Sequence, residues 1–154
     1  SLTKGKYAYD FGDTGNLTPL VKMHTLGSSF IPPATHSGGL RYHGMAPMVS
    51  HLKELGVIEA KAFGQKECFE AGVKFANVEG IVPAPEATHA IKGAIDAAIE
   101  CKKNGKSKTI LFNLCGHGHF DMEAYSDYFD NKLAEDVYNE VEVNKALESL
   151  PKIA

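Results

Sequence analysis

Several features that would assign this chain to a specialised class of protein are absent from its sequence. It has no tryptophan, and its three cysteines, Cys68, Cys101 and Cys115, include no Cys-x-x-Cys pair. Three scattered cysteines are too few for a disulfide framework, which favours a reducing compartment. No apolar run reaches the roughly 18 residues that a membrane-spanning helix requires. The first 16 residues are polar and resemble neither a signal peptide nor a basic presequence. We therefore predict a cytoplasmic protein without a membrane segment.

The charge balance excludes another class of function. The 16 Lys and Arg residues and 19 Asp and Glu residues give a formal net charge of −3, with both signs interspersed. Domains that bind nucleic acid usually carry a basic patch or stripe, and the sequence shows none. A length of 154 residues with 44% hydrophobic residues is sufficient for one globular domain with a buried core. We predict such a domain, without nucleic-acid binding.

Glycine and proline divide the chain into three regions. Residues 1–44 contain seven glycines and three prolines, so we predict a long loop segment with one short helix over residues 18–26. Residues 45–130 carry regular apolar patterns and should form an α/β core. Residues 131–154 should form a C-terminal helix and tail, with the helix over residues 133–150.

The pattern within the predicted core alternates between strand and helix. Apolar residues at helical spacing predict helices over residues 45–55, 65–77 and 86–103, and Asp121 is a plausible N-cap of a fourth. Two strands are predicted, over residues 57–63 and 109–114, and the second has the continuous apolar character of a buried parallel strand. This order favours an α/β fold with a parallel sheet. Two strands make a small sheet, which suggests that further strands lie outside this sequence.

The strongest candidate site follows the second predicted strand, in the run Asn-Leu-Cys-Gly-His-Gly-His-Phe-Asp over residues 113–121. Ligands bind beyond the carboxyl ends of parallel strands, two glycines let the backbone approach a ligand, and a helix N-terminus favours an anion. A simple tight turn with a buried cysteine explains the run equally well. Cys115, His117 and His119 are also potential zinc ligands, although no fourth ligand is evident and the spacing matches no common zinc pattern.

Two other runs contain residues suited to chemistry. Within residues 79–89, two prolines place Glu86 in the first turn of a helix, where the helix dipole stabilises a carboxylate. Glu86 could therefore be purely structural, or a general acid or base at a pocket edge. Within residues 36–44, a Gly-rich loop carries Arg41, which can bind a carboxylate or phosphate through two hydrogen bonds. This loop lacks the Lys-Ser/Thr end of a P-loop, so nucleotide binding is not favoured.

Taken together, these runs resemble the later half of tryptophan synthase β chains, more closely the second, β-like type. The matching stretches are residues 10–14, 17–20, 38–47, 79–90 and 111–121, and the resemblance covers about residues 6–130. The resemblance implies a three-layer αβα architecture with a parallel sheet, as part of the large C-terminal domain of a fold-type-II pyridoxal-phosphate enzyme. The chain would then be the C-terminal part of such an enzyme.

The resemblance also implies an activity. Tryptophan synthase β chains are lyases of tryptophan biosynthesis that join L-serine and indole into L-tryptophan by β-replacement, with pyridoxal 5′-phosphate as the electron sink. A homodimer is implied, with a tryptophan synthase α chain as a potential partner. By resemblance, Glu86 matches the glutamate beside the cofactor that assists the attack of indole. Arg41 stands on the substrate side, where the ordinary β chain has an aspartate and the β-like type has arginine.

Two further positions are assigned by the same resemblance. Cys115, followed by Gly116, stands where the family usually has a serine facing the pyridine nitrogen of the cofactor. A thiol is a weaker hydrogen-bond donor than a hydroxyl, so the ring would stay largely neutral, as it does beside serine. The backbone carbonyls of Tyr42 and Gly44 occupy positions that help to bind a monovalent cation in the family.

The sequence also departs from the family. The Schiff-base lysine and the Gly-Gly-Gly-Ser-Asn phosphate loop lie upstream of the matching region in the family, and neither motif is present in these 154 residues. A Schiff base needs that lysine, so we predict that this chain is inactive by itself. Two alternatives remain open: a serine or threonine dehydratase-like activity with the same cofactor, and a non-catalytic stand-alone domain that binds a ligand or a partner.

Overall fold

The computed structural model describes residues 1–134 and 139–152. The elements in chain order are β1 (Lys6–Phe11), β2 (Leu20–Thr25), a 3-10 turn (Gly38–Leu40), α1 (Pro47–Glu54), α2 (Gln65–Glu79), α3 (Pro85–Lys103), α4 (Met122–Phe129) and α5 (Glu140–Glu148). Helices together with a small sheet confirm the α/β class. Within the described ranges, no helix is both long and apolar enough to cross a bilayer.

The described residues cluster into two units. The first contains residues 1–34, 41–62 and 139–152, and the second contains residues 35–40 and 63–134. The chain therefore passes between the units more than once. The division at residues 44 and 130 that composition suggested stays a prediction.

The first unit contains an antiparallel hairpin where a loop and a short helix were predicted. Strand β1 pairs with β2 so that Lys6 lies opposite Thr25 and Phe11 lies opposite Leu20. The predicted helix over residues 18–26 is therefore wrong, because its apolar residues belong to β2. Cross-strand hydrogen bonds to β1 satisfy the backbone of this segment, and this tertiary pairing overrides the weak local helical pattern.

A small hydrophobic cluster joins the hairpin to α5 within the first unit. Leu26 and Phe30, which follow β2, pack against Val143 and Ala146 of α5. Gly27 lies between them with φ +96, and a Cβ at this position would be 2.7 Å from atoms of Ala146. Glycine is required here both by the backbone conformation and by the close approach of the helix.

Helix α5 is shorter than the helix predicted over residues 133–150. It begins after Asn139, whose side-chain oxygen accepts hydrogen bonds from the N–H groups of Val141 and Glu142. Leu133 and Ala134 are not helical, and residues 135–138 of the prediction lie outside the described residues. The helix therefore starts at an Asn N-cap, whereas the prediction used only the spacing of apolar residues.

The second unit is built around α2, α3 and α4. Its hydrophobic cluster comprises Phe69, Ala124, Tyr125 and Leu133, with further apolar residues packed around them. Helices α1, α2 and α3 confirm the three helices predicted from apolar spacing. Helix α4 begins directly after Asp121, as predicted, but the side chain of Asp121 makes no capping hydrogen bond.

Neither predicted strand joins a sheet in the part of the chain that the structure describes. Residues 57–63 and 109–114 have no ladder partner, and the two-stranded sheet of β1 and β2 is antiparallel. The predicted parallel sheet is therefore not confirmed. A parallel strand needs a neighbouring strand for its N–H and C=O groups, and the described residues provide none for these segments. Residues 109–114 are exposed except for the half-buried Phe112, and Leu111 is 96% accessible.

Candidate functional site

Two of the three candidate runs lie side by side in the second unit. Pro83 and His117 form an isolated antiparallel bridge, and the N–H of Ala84 donates to the carbonyl of Gly116 with an N···O distance of 2.9 Å. This pairing places Cys115 and Gly116 beside the residues that lead into α3. Sequence reasoning singled out both runs, and the structure brings them together.

The two glycines of the later run allow this pairing. A Cβ at Gly118 would lie 2.5 Å from the carbonyl oxygen of Pro83 and 2.9 Å from Cγ1 of Val82, and a Cβ at Gly116 would lie 3.0 Å from Cβ of Ala84. At Gly118 a side chain would force the backbone to shift, and at Gly116 a side chain would be tightly packed against Ala84. We expected these glycines to let the backbone approach a ligand, whereas the close approach in the structure is to another segment of the chain.

Tyr125 of α4 also contacts this turn. Its hydroxyl donates to the carbonyl of Pro83 at 2.6 Å, and its ring packs edge-on against Phe69 with centroids 5.0 Å apart. Burial, together with the nearby charge of Asp121, raises the pKa of Tyr125 to about 12. Sequence reasoning missed Tyr125, because no motif marks a tyrosine that binds a carbonyl 42 residues away.

Glu86 lies in the first turn of α3, as predicted. Pro85 provides the first residue of the helix, and the preceding Ala84 makes no side-chain capping bond. The carboxylate is half-buried, and its Oε1 accepts a hydrogen bond from the N–H of Gly39 at 2.8 Å. Glu86 is thereby joined to the 3-10 turn that begins the Gly-rich loop, a contact that the sequence did not predict.

Cys115 is exposed, which contradicts the interpretation of the run as a turn around a buried cysteine. The thiol is free and faces the surface of the second unit. The preceding residue, Leu114, is also partly exposed. An exposed thiol can contact an external ligand, which a buried cysteine could not do.

The zinc interpretation of this run gains no support. The rings of His117 and His119 lie 4.8 Å apart, and the N–H of His119 donates to Nδ1 of His117 at 3.2 Å. Among residues 1–134 and 139–152, no three His, Cys, Asp or Glu side chains are grouped so that they could hold a metal ion. The two histidines instead form a local aromatic contact at the start of α4.

The remaining candidates, Arg41, Tyr42 and Gly44, lie in the first unit, whereas the other three lie in the second. The side chains of Arg41 and Tyr42 are exposed. The N–H of Leu26 donates to the carbonyl of His43 at 2.7 Å. No described residue donates a hydrogen bond to the carbonyls on either side of His43, those of Tyr42 and Gly44. Both carbonyls are therefore available to an external group.

The chain is similar in sequence to tryptophan synthase beta chains. No family model matches the chain. Its sequence is 62% identical over 133 residues to the tryptophan synthase beta chain 2 of Methanosarcina mazei and 59% identical over 135 residues to that of Aquifex aeolicus. It is also 59% identical over 125 residues to the tryptophan synthase beta chain of Thermosipho africanus. These alignments cover 86%, 88% and 81% of this chain, respectively.

These identities confirm the resemblance predicted from the motifs: over most of its length, the chain is homologous to tryptophan synthase β chains. Two of the three relatives carry the name beta chain 2, in agreement with the second, β-like type. The chain spans about 30% of the length of these relatives, so it corresponds to a part of them.

Proposed function

We propose that this chain provides one side of the active site of a tryptophan synthase β-type enzyme, a pyridoxal-phosphate-dependent lyase that forms L-tryptophan from L-serine and indole. The observation that carries the proposal is the pairing of two runs in the second unit. This pairing places Glu86 and the exposed Cys115 in neighbouring segments. The 62% identity to a tryptophan synthase beta chain 2 supports the same assignment.

The residues of the second unit meet part of the requirements of pyridoxal phosphate. The exposed thiol of Cys115 can face the ring nitrogen, and as a weak donor it leaves that nitrogen largely unprotonated. Gly116 presents no side chain that would obstruct a flat ring. When bound, the cofactor supplies an electron sink for β-replacement. The lysine and the phosphate loop that would complete the site are not in this sequence, so this chain would hold the cofactor from one side.

In this proposal, Glu86 is the proton-transferring group. Pro85 and the first turn of α3 fix its backbone, and a carboxylate at this position is stabilised by the helix dipole. A carboxylate so placed can accept a proton from indole as its carbon attacks, and this is general base catalysis. The assignment of this role follows the resemblance.

By resemblance, Arg41 would contact the substrate, and Tyr42 and Gly44 would contact a cation. Arg41 carries an exposed guanidinium with five donors, which suits the carboxylate or hydroxyl of serine. The carbonyls of Tyr42 and Gly44 accept no hydrogen bond from a described residue, and carbonyl oxygens are suitable ligands for a monovalent cation.

The finer architecture is part of the same proposal. We infer that residues 109–114 form a strand of a three-layer αβα parallel sheet whose other strands come from polypeptide outside this sequence. Support comes from the exposure of Ile110, Leu111 and Leu114, because an apolar strand with free backbone groups is normally covered on both faces. The homodimer and the α-chain partner follow from the resemblance. The cytoplasmic location follows from the few scattered cysteines and the polar start of the sequence, and the three-part organisation at residues 44 and 130 follows from composition.

A hybrid enzyme tests the proposal. This chain is substituted for the aligned region of the Methanosarcina mazei beta chain 2, and tryptophan formation from serine and indole is measured. We expect an active hybrid, and we expect Glu86→Gln to lower its turnover on the order of 100-fold, the scale of general acid–base catalysis. The matched control is Glu100→Gln, which changes an exposed carboxylate on the same helix and should leave turnover unchanged.

The outcomes separate the alternatives. A hybrid that binds pyridoxal phosphate but converts serine to pyruvate with or without indole favours the dehydratase-like alternative. A folded hybrid that does neither, or a Glu86→Gln variant as active as the Glu100→Gln control, contradicts the proposed role. The 154-residue chain alone should form no tryptophan, and measurable turnover by it would contradict the need for the upstream lysine.

A further inference from the structure

We propose that the 3-10 turn Gly38–Leu40 positions the side chain of Glu86. The backbone N–H of Gly39 binds Oε1, so the other carboxylate oxygen, Oε2, is the one that takes part in the reaction. The inference rests on the proposed function, since it assumes that Glu86 acts in the reaction. It adds Gly39 as a positioning residue, to which the resemblance assigns no role. In this inference the Gly-rich loop orients a carboxylate of the same chain and does not bind a phosphate.

The geometry between Gly39 and Glu86 is specific. The N–H of Gly39 donates to Oε1 of Glu86 at 2.8 Å, within the range of charge-assisted hydrogen bonds. A Cβ at Gly39 would lie 3.3 Å from Cγ of Glu86, slightly closer than an ordinary contact, and 3.4 Å from its Oε1. The absence of a side chain at Gly39 thus lets the backbone lie directly against the carboxylate. Oε2 accepts no hydrogen bond from any residue in the described ranges.

The turn is itself held in place within the second unit. The N–H of Leu40 donates to the carbonyl of the buried Ser37 at 2.9 Å, which closes the turn. The ring of His36 packs edge-on against Phe69, with centroids 6.4 Å apart, and its Nε2 lies 3.8 Å from Oδ2 of Asp127. A donor on an anchored turn restrains the carboxylate more strongly than a donor on a free loop.

The consequence for Glu86 is a fixed rotamer. A glutamate side chain on a helix surface has three rotatable bonds, and its immobilisation costs conformational entropy. The hydrogen bond from Gly39 to Oε1 restricts these bonds before substrate binds, so the entropy cost is already met and Oε2 is held in one orientation. Misplacement of a reacting group by about 1 Å can lower a rate on the order of 100-fold, so this restraint should appear in turnover rather than in substrate affinity.

The hydrogen bond can be tested in the 154-residue chain without any catalysis. We expect the Gly39 amide to exchange its hydrogen about fivefold faster in Glu86→Ala, since a typical hydrogen bond contributes about 1 kcal/mol. In Glu86→Gln the amide oxygen can still accept, so protection should remain. Glu67→Ala is the matched control, because Glu67 accepts from the N–H of Gly64 at 2.7 Å. It should release Gly64 alone, and equal Gly39 exchange in all variants would overturn the inference.

Kinetics of the hybrid enzyme test the positioning role. Gly39→Pro removes the N–H, and we expect kcat to fall on the order of 10-fold to 100-fold with little change in the KM for serine. Gly39→Ala keeps the N–H but adds a methyl group against Glu86, so a smaller loss is expected. Gly93→Ala is the control for a glycine substitution on α3, because its Cβ would meet only the Phe63 ring at 3.7 Å or more.

A double-mutant cycle separates positioning from mere structural support. If Gly39 acts through Glu86, then Gly39→Pro causes no further loss of kcat in the Glu86→Gln background. The inference is overturned if Gly39→Pro lowers kcat by the same factor with and without Glu86→Gln, or lowers it in neither background. In both of these cases, a low kcat of the Glu86→Gln enzyme still supports the proposed function. A fully active Glu86→Gln enzyme refutes the proposed role of Glu86, and the inference with it.

Discussion

Replacement of Tyr125 by phenylalanine should loosen the turn that carries the candidate site. The variant removes one hydroxyl from a side chain that is 5% accessible and leaves the ring in place. The lost hydrogen bond, 2.6 Å long, ends on the carbonyl of Pro83. The bridge between Pro83 and His117 does not use that carbonyl, because its two hydrogen bonds involve the residues before and after Pro83. The Pro83 oxygen would therefore lose its donor.

The size of the effect follows from burial. Pro83 is fully buried, and the backbone at Gly118 lies so close that a Cβ there would be 2.5 Å from the Pro83 oxygen. This leaves little room for a replacement water. An unsatisfied buried acceptor costs about 1 to 3 kcal/mol, so the free energy of unfolding of the second unit should fall by that amount.

Native-state hydrogen exchange measures this loss directly. Slowly exchanging amides of α2 and α3 should exchange about 5-fold to 150-fold faster in Tyr125→Phe, which corresponds to 1 to 3 kcal/mol. Tyr128→Phe is the matched control, since Tyr128 stacks on Phe69 but no described residue binds its hydroxyl. The reasoning is refuted if Tyr125→Phe leaves exchange unchanged, or if the control accelerates it equally.

Two further predictions concern the first unit. Asp13 accepts hydrogen bonds from the hydroxyl and N–H of Thr18, which lower its pKa from 3.8 to about 2. Its carboxylate therefore stabilises the fold above pH 3.8, an effect lost as the pH falls through about 2. An NMR titration should give a midpoint near 2 that moves back towards 3.8 in Thr18→Ala; a midpoint near 3.8 in the unaltered chain contradicts this. Gly27→Ala should destabilise the unit by about 2 to 5 kcal/mol in chemical denaturation, because it adds overpacking against Ala146 to a left-handed backbone. Gly56→Ala, at φ +69 with open space around it, should cost only about 1 to 2 kcal/mol, and equal losses would contradict the steric argument.

The helices could be predicted because their signals are local. Apolar residues at helical spacing, Pro85 at the start of α3 and the Asn104-Gly105 pair after its end fix that helix within one residue of the prediction. Each signal acts within a few residues of the backbone that it organises. The same is true of Glu86, whose place in the first helical turn follows from its neighbours.

The hairpin and the exposed segment could not be predicted in the same way. Residues 20–23 contain apolar residues that fit either a short helix or a strand, and only pairing with β1 decides between them. Residues 109–114 have the composition of a buried strand, but burial depends on neighbouring strands that the described residues do not provide. In the site, the bond from Gly39 to Glu86 joins residues 47 positions apart through a backbone N–H, which every non-proline residue possesses.

The pairing beside α3 has a consequence for the order of folding. Ala84 and Gly116 are 32 residues apart, and the whole of α3 lies in the loop that their hydrogen bond closes. Closing such a loop in a flexible chain costs about 3 kcal/mol, more than the roughly 2 kcal/mol that its two hydrogen bonds return. The pairing therefore becomes favourable only after α3 has formed and α4 has brought Tyr125 to Pro83. We expect the two helices to assemble first, and the turn that carries Cys115 to be among the last parts of the second unit to reach its native geometry.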